Sequence, residues 1–224
     1  MIADGRISIN GESVQDMGRR VQVGDTVTAD GKPVAPLASH TYLLYNKPAG
    51  QLCSRRDARG RDLIYNHLDV GPNVQSVGRL DMDSEGLLLL TDDGELANHM
   101  TRPQTGVARE YRVRVAGHLS LDALEKLRVG GLDLGDGEVS DPWEVVVDSE
   151  TSGHCWLTVT IRRGRNREVR RTLEATGHVV RRLIRIRFGP LKLEEGVPMG
   201  SSRHLTASEV RHLRRSLGLS EKAG

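Results

Sequence analysis

The stretch "GRLDMDSEGLLLLTDDGE", residues 78–95, sets acidic side chains on both sides of four consecutive leucines. An apolar run that short is either a buried strand or a turn of buried helix, and periodicity alone does not separate the two. Its brevity and the Asp92-Asp93-Gly94 turn signal behind it favour a strand. Asp81, after Arg79 and Leu80, then sits where a strand end runs into a loop. A rigid scaffold can present a reactive side chain from such a position.

Three readings of these acids compete. "DMDSEG" opens like a calcium loop, with Asp81, Asp83 and Glu85 as ligands and Gly86 at the turn. The twelfth position, however, is Asp92 rather than a bidentate Glu, and no long helix flanks the stretch. A solvated acidic turn accounts for Asp83, Asp92 and Asp93. For Asp81 the better reading is a fixed carboxylate used as a reagent. A neighbouring cation would oppose the protonation that burial imposes on such a group.

Outward from this stretch, strands are expected at "TYLLYN", "NVQSV", "EYRVRV", "WEVVV", "HCWLTVTI" and "VVRRLIRIRF". Helices are expected at "GELANHM", at "LDALEKLRV" behind a Ser120 cap, and at "NREVRRTLEAT", stopped by Gly177. A last one, "TASEVRHLRRSL", carries a Thr206/Glu209 capping box and ends at Gly218. Strands and helices mix without regular βαβ alternation, so the expected class is α+β with a mostly antiparallel sheet. Before it, "GRISINGESVQDMGRRVQVGDTVTADGKPV" reads as short strands divided by turns, and "PVAPLAS", residues 33–39, as a linker. The expected division is residues 1–38 and residues 39–224.

Composition narrows the function. The chain has 224 residues and a net charge of +2, but the charge is unevenly spread. Residues 162–187 hold ten Arg against Glu168 and Glu174. Arg forks onto phosphate and stacks on bases, so this bias points to nucleic acid. Aromatics at 3% disfavour a sheet platform that stacks bases on exposed rings. No stretch is long and apolar enough for a membrane span, and no signal sequence opens the chain. Cys53 and Cys155 lie far apart without metal-type spacing and read as reduced thiols of a cytoplasmic protein. Nothing resembles a coiled-coil seam, so a monomer is expected.

"VGRLDMDSEGLLLLTDDGELAN", "REYRVRV" and "GRNREVRRTLEATGHVVRRLIRIRFGPLKL" together resemble the ribosomal RNA pseudouridine synthases. Within that family the likeness is strongest to the branch of large-subunit pseudouridine synthase B. It runs from about Tyr42 to Leu217 and keeps the motifs in order. It implies isomerisation of a uridine in ribosomal RNA, with free RNA or a pre-ribosomal particle as substrate, and with no cofactor and no metal. Asp81 matches the family's catalytic aspartate, Tyr111 the tyrosine that packs on the target base, and Arg170 the basic residue paired with the aspartate. Arg79 matches an arginine that helps extrude the nucleotide or hold its place. Arg165, Asn166, Arg167, Arg171 and Arg185 are expected to contact RNA. On the helix expected after Asn166, Arg170 lies beside the buried stripe of Val169 and Leu173, while Arg171 and Arg167 are freer to reach phosphates.

The resemblance also implies a partial αL-type RNA-binding module in residues 1–38, with the basic helices that usually open it missing. Covalent and glycal-type routes both remain open, and so does action on 16S RNA of the small subunit. The rival from another class is a ribosome-assembly factor that binds RNA without chemistry. A metal hydrolase using Asp81 and Asp83 is a third reading, and it would need a divalent ion.

Overall fold

Tight turns build the amino-terminal strands. The computed structural model describes residues 1–22, 24–34 and 40–220. Asn10-Gly11 and Asp30-Gly31 take positive φ at both positions, the backbone of a two-residue hairpin turn. They join β1 (Ile7–Ile9) to β2 (Glu12–Val14) and β3 (Val27–Ala29) to β4 (Lys32–Pro33). These four form one antiparallel sheet in the order β2-β1-β3-β4. Residues 1–34 and residues 40–220 belong to separate compact units. Most of the expected linker, residues 35–39, lies outside the described residues.

The second unit begins with β5 (Tyr42–Lys47), followed by the short β6 (Gln75–Ser76), all that forms of the expected "NVQSV" strand. The leucine run is a strand, β7 (Glu85–Thr91), and every residue in it is buried. Then come α1 (Gly94–Thr101), β8 (Arg109–Ala116), α2 (Leu121–Val129), β9 (Asp133–Gly135) and β10 (Glu138–Val139). The long hairpin of β11 (Glu144–Thr151) and β12 (His154–Ile161) leads to α3 (Glu168–Ala175) and β13 (Val180–Phe188). The described chain closes with β14 (Leu191–Lys192), β15 (Ser202–His204) and α4 (Ala207–Ser216).

One large sheet organises this unit, in the order β11-β12-β8-β13-β7-β5-β15, with β14 on β13 and β6 on β7. Every pairing in it is antiparallel except β7 with β13. That central place explains the unbroken leucines. Leu88 and Leu90 join the core with Tyr45, Val113, Leu127 and Leu173, under α2 and α3. Leu87 and Leu89 face the opposite way, into a second core with Leu96, Met100 and Leu213 of α1 and α4. A strand covered on both faces has no polar side, and each buried leucine stabilises the fold by about 2 kcal/mol.

The parallel contact also fixes a glycine. Gly86 has φ +100°, and a Cβ there would sit 2.3 Å from the Arg185 carbonyl oxygen of β13. No side chain fits between the two backbones.

The expected helices form with their caps. Asp93 accepts from Leu96 N at α1, Ser120 from Ala123 N at α2, and Thr206 with Glu209 closes a capping box at α4. One boundary differs. The third helix starts at Glu168 rather than Asn166, because Arg167 takes the left-handed conformation, φ 49° and ψ 30°. No helix among the described residues is long and apolar enough to cross a membrane.

The Arg203 guanidinium, with the Thr206 backbone and hydroxyl, holds the pKa of the Glu209 carboxyl down to about 2. A carboxylate lowered on folding stabilises the fold above its unfolded value and loses that contribution as pH falls through the folded one. Glu209→Gln is therefore expected to cost about 1 kcal/mol at neutral pH. In urea titrations the gap between variant and parent should narrow below about pH 4.5 and close near pH 2.

Candidate active site

Asp81 is positioned through its backbone. Residues 81–84 form a tight turn in which Ser84 N donates to Asp81 O at 3.0 Å. Beneath it lies Lys47, at the end of β5 and fully buried. Its ammonium donates to the carbonyls of Pro48 at 2.9 Å, Asp81 at 3.1 Å and Ser84 at 2.8 Å. Burial pulls the Lys47 pKa down, opposed by nearby acidic groups including Asp83 and Asp81. Gly50 N adds a bond to Met82 O at 2.7 Å, and the Cys53 thiol lies 3.4 Å from Leu80 O and 3.5 Å from Leu80 N. The loop is thus pinned from one side, leaving the Asp81 carboxylate 32% exposed.

That carboxylate lines a cavity of about 310 Å³. Tyr111 of β8 and Arg185 of β13 lie in its wall as cross-strand partners, so their side chains leave the sheet on the same face. Ile161, Val169, Leu183 and Phe188 supply apolar wall, and Arg79, Arg165, Asn166, Arg167 and Glu168 complete the polar lining. Arg79 and Asn166 are exposed.

The structure corrects the expected partner of Asp81. Arg167 Nη1 lies 3.7 Å from Asp81 Oδ2 and 3.7 Å from Asp83 Oδ1. Arg170 is buried and goes elsewhere, to Asp83 Oδ2 at 3.0 Å, Asp83 O at 3.1 Å and Val180 O at 3.4 Å. Arg167 is the left-handed residue just before α3, whereas Arg170 lies within the helix. A non-glycine residue in this conformation costs about 1 kcal/mol or more, strain of a kind that collects at functional sites.

Two of the expected RNA contacts, Arg171 and Arg165, are committed within the chain. Arg171 donates to Leu134 O at 2.6 Å and to Glu138 Oε2 at 2.7 Å, so it is not free for phosphate. Arg165 donates to Val139 O at 2.9 Å and lies 3.4 Å from Asp141. Arg162, Arg163, Arg182 and Arg187 face Glu144, Asp141, Glu85 and Glu110. Among the described residues, every arginine of 162–187 but Arg181 and Arg185 lies within ion-pair reach of an acid. The charge excess of that segment is largely answered at home.

Sequence reasoning missed three supports besides Lys47 and Cys53. Arg109 is buried beside the cavity and donates to Val107 O, Arg162 O and Met100 O at 2.9–3.1 Å, and burial lowers its pKa. Glu168 accepts from Arg165 N at 2.9 Å, and burial pushes its carboxyl up. Ser84 is buried with an unpartnered hydroxyl. The only visible signal was "YNKPAG", a lysine at a strand end before a turn, which by composition reads as surface. The Asp83 and Glu85 carboxylates are turned to Arg170 at 3.0 Å and to Arg182 at 2.7 Å.

The pattern of the RNA pseudouridylate synthase family matches residues 41–175. The chain is 41% identical over 98% of its length to "Ribosomal large subunit pseudouridine synthase B" of Haemophilus influenzae, covering 63% of that protein. It is 40% identical over 97% of its length to the protein of the same name from Pseudomonas aeruginosa, covering 58% of it. The chain thus spans about three fifths of the length of these curated relatives. A solved structure, "Crystal structure of pseudouridylate synthase", superposes with a TM-score of 0.73 at 29% identity, over 95% of this chain and 90% of that one.

Lys47→Met removes the cation from several inward-turned carbonyls without changing length much. Hydrogen bonds to charged groups contribute about 1.5–3 kcal/mol, so a stability loss of at least about 2 kcal/mol is expected in urea unfolding. Hydrogen exchange should rise at Ser84 and Gly50 amides before it rises in β8 or β12.

Proposed function

The chain belongs to the RNA pseudouridylate synthase family, and on that premise we propose that it isomerises a specific uridine of large-subunit ribosomal RNA. The observation that carries this reading is the Asp81 carboxylate, held by its backbone at a cavity that Tyr111 lines, with a guanidinium 3.7 Å away. The reaction breaks the bond from uracil N1 to ribose C1′ and forms one from C5 to C1′. The C5 proton leaves and N1 gains one, so nothing is oxidised and no cofactor is consumed. A carboxylate serves by meeting positive character at C1′ or by taking a proton from the sugar.

The uridine must leave its stack to reach Asp81, at a cost of a few kcal/mol. Stacking on Tyr111 returns about 1–3 kcal/mol. The balance falls to phosphate contacts at the mouth, where Arg79 and Arg167 are exposed. Arg170, bound to Asp83 two residues from Asp81, acts by positioning the loop. Within this reading, residues 1–38 are a partial αL-type RNA-binding module, supported by the β2-β1-β3-β4 sheet, and residues 39–224 are the catalytic domain. The protein works as a cytoplasmic monomer on ribosomal RNA or a pre-ribosomal particle.

Asp81→Asn is expected to lower tritium release from 5-tritiated uridine in ribosomal RNA by at least about 1,000-fold while RNA affinity changes little. Normal turnover in that variant would refute the reading of Asp81 as the reagent, and no turnover in the parent protein would leave a non-catalytic assembly factor in its place. Because so many arginines are paired internally, the salt dependence of binding should be moderate. Arg79→Ala should weaken binding and reduce the log–log salt slope by about 1.

A further inference from the structure

Arg185 is a buried cation with unused donors. It is 2% exposed, and its Nε donates to Leu87 O at 2.8 Å. Its guanidinium carbon lies 4.7 Å from the centre of the Phe188 ring. Its terminal nitrogens meet no acceptor among the described residues, and Nη2 is fully buried without a partner. In residues 162–187 it differs from its neighbours, most of which face an acid. A buried guanidinium left in this state is costly unless a ligand brings the acceptor.

The wall around it indicates which acceptor. Arg185 stands across from Tyr111 on the sheet, among Ile161, Leu183 and Phe188, and not at the exposed mouth with Arg79. Arg109 fills its own valences on backbone carbonyls, and Glu168 places a carboxylate in the same cavity, its Oε1 3.8 Å from Arg165 Nη1 and without a hydrogen bond. The immediate surroundings of Arg185, with the Phe188 ring against its guanidinium and Tyr111 across the strand, suit a flat, neutral ring carrying carbonyl oxygens.

Resting on the synthase reading, we propose that Arg185 reads the flipped base by donating from its free guanidinium N–H groups to a uracil carbonyl oxygen. The symmetry of the ring makes this donor useful throughout the reaction. Turning uracil about its N3–C6 axis exchanges N1 with C5 and, with them, O2 with O4. A donor placed for one carbonyl before the turn therefore meets the other afterwards. Uracil satisfies it in both orientations. Cytosine cannot, because one of the two presents an amino group, a donor facing a donor. Arg185 thus selects uracil and supports its turned position with one fixed group.

The test uses the full chain and a synthetic RNA hairpin carrying the mapped target uridine, or 2-thiouridine or 4-thiouridine there. Sulfur accepts hydrogen bonds poorly, and the exchange brings each substituted position to Arg185 in one orientation. Both thio hairpins should therefore be converted about 10-fold more slowly by the parent protein, the lower end of a good base contact. Arg185→Lys keeps the charge and a donor for Leu87 O but loses the fork. It should convert the plain hairpin about 10- to 100-fold more slowly, with an unchanged salt slope, and show no further thio penalty. A parent protein indifferent to both substitutions overturns the inference without any variant. So does a lysine variant that keeps the parent's thio penalty, or whose defect is a lower affinity with a salt slope reduced by about 1, the mark of a phosphate contact. If the parent leaves the plain hairpin unconverted, the synthase reading itself fails and this inference falls with it.

Discussion

A single buried ammonium holds the Asp81 turn together. Lys47 gathers the carbonyls of Pro48, Asp81 and Ser84, which no backbone partner in a regular ladder would satisfy. Buried carbonyls without donors are expensive, and so is a buried cation without acceptors. Each requirement answers the other, so the turn takes one conformation and the Asp81 side chain is aimed without being bound. Lys47 works on the main chain alone and leaves the carboxylate itself facing the cavity.

The arginine-rich segment follows a related rule. Many of its guanidiniums hold backbone carbonyls or face acids from other elements: Glu85 at the head of β7, Glu138 on β10, Asp141 and Glu144 before and at β11. Exposed pairs of this kind contribute about 0–1 kcal/mol each, so their main effect is on geometry rather than on total stability. They fix the loop before α3 around the cavity. The cations of the segment without an acid in reach among the described residues are Arg181 and Arg185, the latter within the cavity wall.

On the opposite face of the sheet, a different buried cluster locks the closing helix. Arg214 of α4 pairs with Asp93, which also accepts from the Tyr42 hydroxyl at 2.7 Å and caps α1. Burial and that carboxylate push the Tyr42 phenol well up. Asp93 thus has structural work of its own, as the sequence reading of an acidic turn allowed, and Asp81 does not share it. Cys155, buried on β12, has its thiol pushed up to about 11 by burial.

Residue order alone was enough to set the elements and the family. The leucine run, the Ser120 and Thr206 caps and the Asn-Gly and Asp-Gly turns are local signals, and local signals survive in one dimension because neighbours along the chain produce them. The ordered motifs put Asp81, Tyr111 and Arg170 into one family pattern, and the cavity brings Asp81 and Tyr111 of these together. Folding in three dimensions settled which cation stands by Asp81, that Arg170 and Arg171 are held by the protein itself, and that Lys47 is interior. Those outcomes depend on which side chains meet in space, across the sheet and at the start of α3. Charge and spacing carry no information about either, since a guanidinium near an acid in sequence can satisfy a different acid in space.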